Sequence, residues 1–86
     1  MFSVDYSKQA EKFLEKAEKS LLKRLLKKME DLRSDPHPRE SKMVQGYKEK
    51  LFRVRVGDYR ILYEVDYMKN KIGVVKIDDR PRVYEH

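Results

Sequence analysis

The chain has 86 residues, a net charge of +6 and no cysteine. That length predicts one small domain spanning 1–86 with a single modest core, and without cysteine there is no disulfide framework or zinc ribbon. At 40% hydrophobic and 42% charged it reads as globular with a heavily charged, basic surface, which points to a polyanionic partner, nucleic acid before a membrane surface.

In chain order, Phe2–Tyr6 alternates apolar and polar residues as a short strand does, and Ser7 can cap a following helix. From Ala10 the apolar positions are Ala10, Phe13, Leu14, Ala17, Leu21, Leu25, Met29 and Leu32, the spacing of one helical face. An unbroken helix from Ser7 to Arg33 would be about 40 Å long at 1.5 Å per residue. A compact chain of this size has a radius of gyration near ~12 Å, so the spacing predicts a helical hairpin, with Ser20 as the second N-cap. Ser34–Glu40 carries two prolines and reads as a loop. A short strand is expected within Ser41–Gly46, a hairpin over Leu51–Tyr63, a polar turn at Asp66–Asn70, and a last strand over Lys71–Ile77. No run reaches the roughly 18 apolar residues of a membrane-spanning helix and no signal-peptide pattern precedes the fold; the expected location is the cytoplasm. The order of elements predicts an α+β domain, with helices packed on one face of a mainly antiparallel sheet.

The hairpin is the informative stretch. Gly57-Asp58 is a two-residue connection that favours a tight turn, with glycine supplying positive φ. That turn sets Val56 opposite Tyr59, Arg55 opposite Arg60, Val54 opposite Ile61 and Arg53 opposite Leu62. Phe52, Val54, Val56, Tyr59, Ile61 and Tyr63 then share one apolar face, and Arg53, Arg55 and Arg60 share the other. Like charges directly opposed in a sheet cost roughly 0.2–1 kcal/mol. One reading is a solvated basic face with Glu64 as partial counter-ion; the sharper one is a preassembled anion site.

Other chemistry has little material. The histidines are His37, in the proline loop, and His86, at the end of the sequence. Asp78 and Asp79 are adjacent, so a strand would point them to opposite faces. No glycine-rich phosphate loop, nucleophile elbow or HExxH helix occurs, and no cofactor or metal is expected. What is abundant is guanidinium, which binds phosphate bidentately and stays protonated. Arg80 and Arg82 add to it, and the Tyr84 ring can stack on a base.

Leu51–Val65 (LFRVRVGDYRILYEV), followed a strand later by RPRVY, resembles the RelE/ParE superfamily of toxin–antitoxin toxins, most nearly its archaeal RelE branch. The resemblance runs over essentially the whole chain and includes Lys42 to Gly46. It implies a two-layer β-α-α-β-β-β-β fold and a metal-independent, ribosome-dependent endoribonuclease that cuts mRNA and inhibits translation. It also implies a cognate antitoxin, which the basic charge suggests has an acidic contact surface. The family's basic strand positions fall on Arg53 and Arg55, its G-x-YR arginine on Arg60, and its tail arginine and tyrosine on Arg80 and Tyr84; Arg82 matches a further basic position. Arg60 and Arg80 would stabilise phosphate, Tyr84 would stack or transfer a proton, and Arg53, Arg55 and Arg82 would bind RNA. Some members carry lysine at the first strand positions; since guanidinium does not deprotonate, proton transfer here falls to Tyr84 or ribosomal RNA. Asp78-Asp79 would pin or neutralise Arg80. The alternatives are a non-catalytic ParE-like toxin that blocks a protein target such as DNA gyrase, and a degenerate basic RNA-binding module.

Overall fold

The computed structural model describes residues 1–79. The elements are β1 (Ser3–Tyr6), α1 (Lys8–Lys16), α2 (Lys19–Ser34), β2 (Lys42–Val44), β3 (Leu51–Val56), β4 (Tyr59–Asp66) and β5 (Lys71–Asp79). The five strands form one sheet in the order β1-β5-β4-β3-β2. β1 runs parallel to β5 and every other pair is antiparallel. Both helices pack on one face, giving the expected α+β two-layer arrangement. None of the described helices is long and apolar enough to cross a membrane.

Ser7 caps α1 as the sequence predicts, its hydroxyl accepting from the Ala10 N–H. The break between the helices falls earlier than expected. Ala17 and Glu18 are both extended, and Glu18 rather than Ser20 is the N-cap of α2. The glutamate carboxylate accepts from the Leu21 N–H at 3.1 Å, and the Ser20 hydroxyl donates to it at 2.9 Å. Ser20 thus supports the cap from inside the first turn. Those bonds, the Ser20 hydroxyl foremost, hold the Glu18 carboxyl below its ordinary pKa.

The α2 stripe Leu21, Leu25, Met29 and Leu32 is buried against Val54, Val56, Ile61, Tyr63, Ile72, Val74 and Ile77 of the sheet, with Ala10 from α1. Phe13, Leu14 and Ala17 pack half-buried at its margin. Burial of such side chains contributes about 1.5–3 kcal/mol each, and this core fixes which sheet face meets the helices. The Tyr63 hydroxyl donates to the Pro36 carbonyl at 2.8 Å and ties the proline loop to the sheet.

The β5 end is held by a contact that the sequence does not announce. Past Tyr6, β1 no longer covers the β5 edge, and Gln9 of α1 takes over. Its amide accepts from the Ile77 N–H at 3.0 Å and donates to the Ile77 carbonyl at 2.9 Å. Gln9 so completes the edge that β1 leaves open, next to Asp78.

Candidate nucleic-acid interface

The β3–β4 register is the one the Gly57-Asp58 turn dictates: Arg55 pairs with Arg60, Arg53 with Leu62, and Val54 with Ile61. Gly57 has φ +61 and Asp58 is not in the positive-φ region, as in a hairpin turn led by glycine. With Val54, Val56 and Ile61 buried under the helices, the three arginines occupy the helix-free face.

Two rows of side chains cross that face. One runs Lys42, Arg53, Leu62, Lys76 and the other Arg55, Arg60, Asp78. Leu62 is buried, so the cationic stems stand on an apolar base. Arg55 is exposed, and Arg53 and Arg60 are half-buried.

The like-charge opposition of Arg55 and Arg60 is answered from β5. Arg60 Nε donates to Asp78 Oδ1 at 2.9 Å, and Nη2 lies 3.5 Å from Oδ2. Both side chains are about a quarter exposed, and Lys76 Nζ approaches the same carboxylate at 3.7 Å. Among the described residues the counter-ion is therefore Asp78. Glu64, the sequence-based candidate, pairs with Gly73; its carboxylate lies 3.2 Å from where a Gly73 Cβ would stand, away from the arginine row.

Lys76 and Asp78 reach this face because β5 contains a bulge. Leu62 pairs with Lys76 but Tyr63 pairs with Val74, leaving Val75 as the extra residue. An extra residue shifts the alternation by one. Beyond it Ile77 is still buried in the core, while Lys76 and Asp78 join the arginines. Asp79 pairs with Tyr59, on the opposite face from Asp78, as adjacent strand residues must.

Of the residues singled out by sequence, Arg53, Arg55 and Arg60 are brought together here. Arg80, Arg82 and Tyr84 lie outside the described residues, as does any partner that Asp78-Asp79 offers to Arg80. Lys42, Lys76 and Asp78 are site residues that sequence patterns do not assign. As it stands, the face presents guanidinium and ammonium donors at fixed strand spacing, with one guanidinium clamped along its Nε edge. That arrangement suits phosphate oxygens.

The model of the ParE toxin of type II toxin–antitoxin systems, parDE, matches residues 4–84. The archaeal RelE–RelB complex from Pyrococcus horikoshii OT3 is similar at a TM-score of 0.81 and 32% identity, over 94% of this chain and 97% of that one. The isolated RelE toxin of E. coli shares the fold, with a TM-score of 0.81 at 21% identity over 99% of this chain and 93% of that one. The RelBE2 toxin–antitoxin complex of Mycobacterium tuberculosis gives 0.78 at 25% identity, over 92% and 98%. No curated protein matches the sequence significantly. A family pattern that extends over nearly the whole chain, on the fold that pattern requires, identifies this protein as a member of the RelE/ParE superfamily, the toxin of a toxin–antitoxin system.

Proposed function

We propose that this toxin is an endoribonuclease that cuts mRNA on the ribosome in the cytoplasm with the helix-free face of its sheet, as a single domain over residues 1–86. The observation that carries the reading is the Arg55–Arg60 pair, opposed across β3 and β4 and anchored by Asp78. A sheet built only for stability gains nothing from such a pair, whereas a transferring phosphoryl group gains fixed positive charge.

In the reaction the RNA's 2′-oxygen attacks the neighbouring phosphorus. A 2′-O–P bond forms, the P–O5′ bond breaks, and the 2′ proton leaves as the 5′ oxygen takes one up. The protein supplies no nucleophile. Arg60 and Arg80 meet the charge that develops on the phosphorane; removing one preorganised donor of this kind typically costs about 10²–10³ in rate. Arg53, Arg55 and Arg82 bind the RNA backbone and raise the local potential. Tyr84 stacks on a base or moves a proton, a task that guanidinium cannot share. The RelE–RelB complex from Pyrococcus horikoshii OT3 supports a cognate antitoxin as partner here, one whose contact surface is acidic to match a +6 chain.

Primer-extension mapping of a reporter mRNA in a cell-free translation system tests this, with wild-type protein, Arg60→Ala, Arg80→Ala and a ribosome-free control. Discrete cuts that require ribosomes and fall by about two orders of magnitude or more in the variants are expected. The ParE description of the matching family model favours the second reading, a non-catalytic toxin that blocks a protein target such as DNA gyrase. Intact mRNA in every lane, with folded protein, would replace the first reading by the second.

A further inference from the structure

Past its bulge, β5 keeps one neighbouring strand. β1 ends at Tyr6, opposite Val74, while β4 accompanies β5 as far as Asp79. The edge that β1 vacates is filled by the start of α1. The Ser7 N–H donates to the Val74 carbonyl at 2.9 Å, and the Ser7 hydroxyl donates to the Val75 carbonyl at 2.6 Å. Gln9 then donates to the Ile77 carbonyl at 2.9 Å and accepts from the Ile77 N–H at 3.0 Å. The carbonyl of Val75, the extra residue of the bulge, is thus satisfied by a side chain rather than by a strand. β5 is held before and after the point where its alternation changes.

Stability is a weak reason for the glutamine clasp. Gln9 is exposed, so water can serve the same backbone groups, and the net gain of such bonds is small. Fixing both ends of the amide also costs side-chain freedom. What the clasp does fix is position. Backbone groups of a strand point alternately to its two sides, so with those of Ile77 on Gln9, those of Lys76 and Asp78 face β4. The Ile77 side chain is buried in the core, and the next residue, Asp78, takes the Arg60 Nε at 2.9 Å. Without Gln9, this end of β5 would be tied on one side only, and strand ends so held open locally at low cost. The residue after Asp79 is Arg80, the second phosphate donor of the proposed reaction.

We propose that Gln9, seconded by Ser7, is a positioning residue of the cutting face. The start of α1 sets the end of β5 and, through Asp78, holds the Arg60 guanidinium where it meets phosphate. Gln9 acts through one peptide unit and one carboxylate and touches no RNA itself. The proposal rests on the nuclease reading above and deepens it. A device that only guarded the edge against strand addition would use a charge or a proline; it would not need to match an N–H and a carbonyl at once. Where catalysis depends on fixed guanidinium groups, a displacement of about 1 Å can cost on the order of 10² in rate. A clasp that adds little to stability therefore has a large effect on turnover.

The test substitutes Gln9, since Ser7 also caps α1. Gln9→Met keeps the length and helix propensity of the side chain and removes both bonds; Gln9→Glu keeps the acceptor and removes the donor. Tyr63→Phe serves as a control that lowers stability elsewhere in the sheet, and all three are confirmed folded by circular dichroism. The first readout is the exchange of the Arg60 Nε–H with water, measured by NMR on the purified protein. Exchange should rise by about tenfold in Gln9→Met, by less in Gln9→Glu, and stay at the wild-type rate in Tyr63→Phe. The second readout is single-turnover cutting of mRNA on ribosomes, which should slow by about tenfold or more in Gln9→Met with ribosome affinity unchanged. An Arg60 Nε–H that exchanges at the wild-type rate in Gln9→Met would overturn the proposal. So would an equal rise in Tyr63→Phe, or wild-type cutting by Gln9→Met. Wild-type protein that cuts no mRNA would sink the nuclease reading alone, because the NMR readout still decides whether Gln9 positions Arg60.

Discussion

The Asp78 carboxylate holds the arginine pair in place, and Asp78→Asn tests that role with little change of shape. The carboxylate and the Arg60 guanidinium are in contact at 2.9 Å, each about a quarter exposed. Two unit charges about 4 Å apart attract by roughly 4 kcal/mol at an effective dielectric of 20. Desolvation and side-chain ordering offset most of that, leaving ~1–2 kcal/mol for a half-buried pair. The substitution also removes the Asp78 charge that answers the Arg55–Arg60 opposition, a cost of up to ~1 kcal/mol. Thermal unfolding should therefore show a loss of about 1–3 kcal/mol, or ~4–24 °C in Tm for a domain of this size. In an Arg60→Gln background the same substitution should cost close to nothing, which gives a coupling energy about equal to the whole loss, roughly 1–3 kcal/mol. RNA binding should move the other way: one anion fewer raises non-specific affinity and steepens its salt dependence. An unchanged Tm for Asp78→Asn, or an equal loss with and without Arg60, would refute the pairing as the origin of the site.

Tyr63→Phe should cost about 1–2 kcal/mol in chemical denaturation, because it leaves the Pro36 carbonyl without the hydroxyl that donates to it at 2.8 Å. Burial pushes the Tyr63 hydroxyl up to about 12, above the ordinary value near ~10 of the unfolded chain. The folded state thus holds this proton more tightly. Its contribution is whole below pH ~10 and is lost as pH rises through about 12. The difference in stability between wild type and Tyr63→Phe should shrink across that window; a constant difference would contradict the assignment. Gly57→Ala should lower stability by ~1–2 kcal/mol, since φ is +61 and the new Cβ meets Arg24 Nη1 at 2.8 Å. An alanine variant as stable as wild type would show that the turn relaxes and releases Arg24.

Much of the fold can be read where local signals are strong and mutually consistent. The α2 stripe Leu21, Leu25, Met29 and Leu32 needs no tertiary information, and all four residues are buried. Gly57-Asp58 between alternating strands fixes the register, and with it the three-arginine face. The helix break is harder, because Ser outranks Glu as a cap in general and so draws the expected boundary toward Ser20. Here the longer glutamate reaches the Leu21 N–H while Ser20 donates to it, a cooperation that propensity does not express. Gln9 on Ile77 depends on a contact 68 residues apart in sequence, and nothing near Gln9 foretells it. The tail assignments at Arg80, Arg82 and Tyr84 rest on the family resemblance.

The Arg60 counter-ion is hidden by parity rather than by distance. Counted as an unbroken strand from the buried Ile72 and Val74, β5 would turn Lys76 and Asp78 toward the core and Ile77 toward the arginines. That arrangement would bury two charges and expose an isoleucine, at a cost of several kcal/mol. One extra residue at Val75 resolves the conflict. The sequence does carry a trace of it: the apolar positions Ile72, Val74, Val75 and Ile77 change phase between the adjacent Val74 and Val75, which a strictly alternating strand cannot do. Strand bulges recur beside functional sites because they re-aim side chains without disturbing the core. Here the bulge leaves Ile77 packed under the helices and turns the next residue onto Arg60, so the hydrophobic pattern that stabilises the sheet also determines where the clamped guanidinium points.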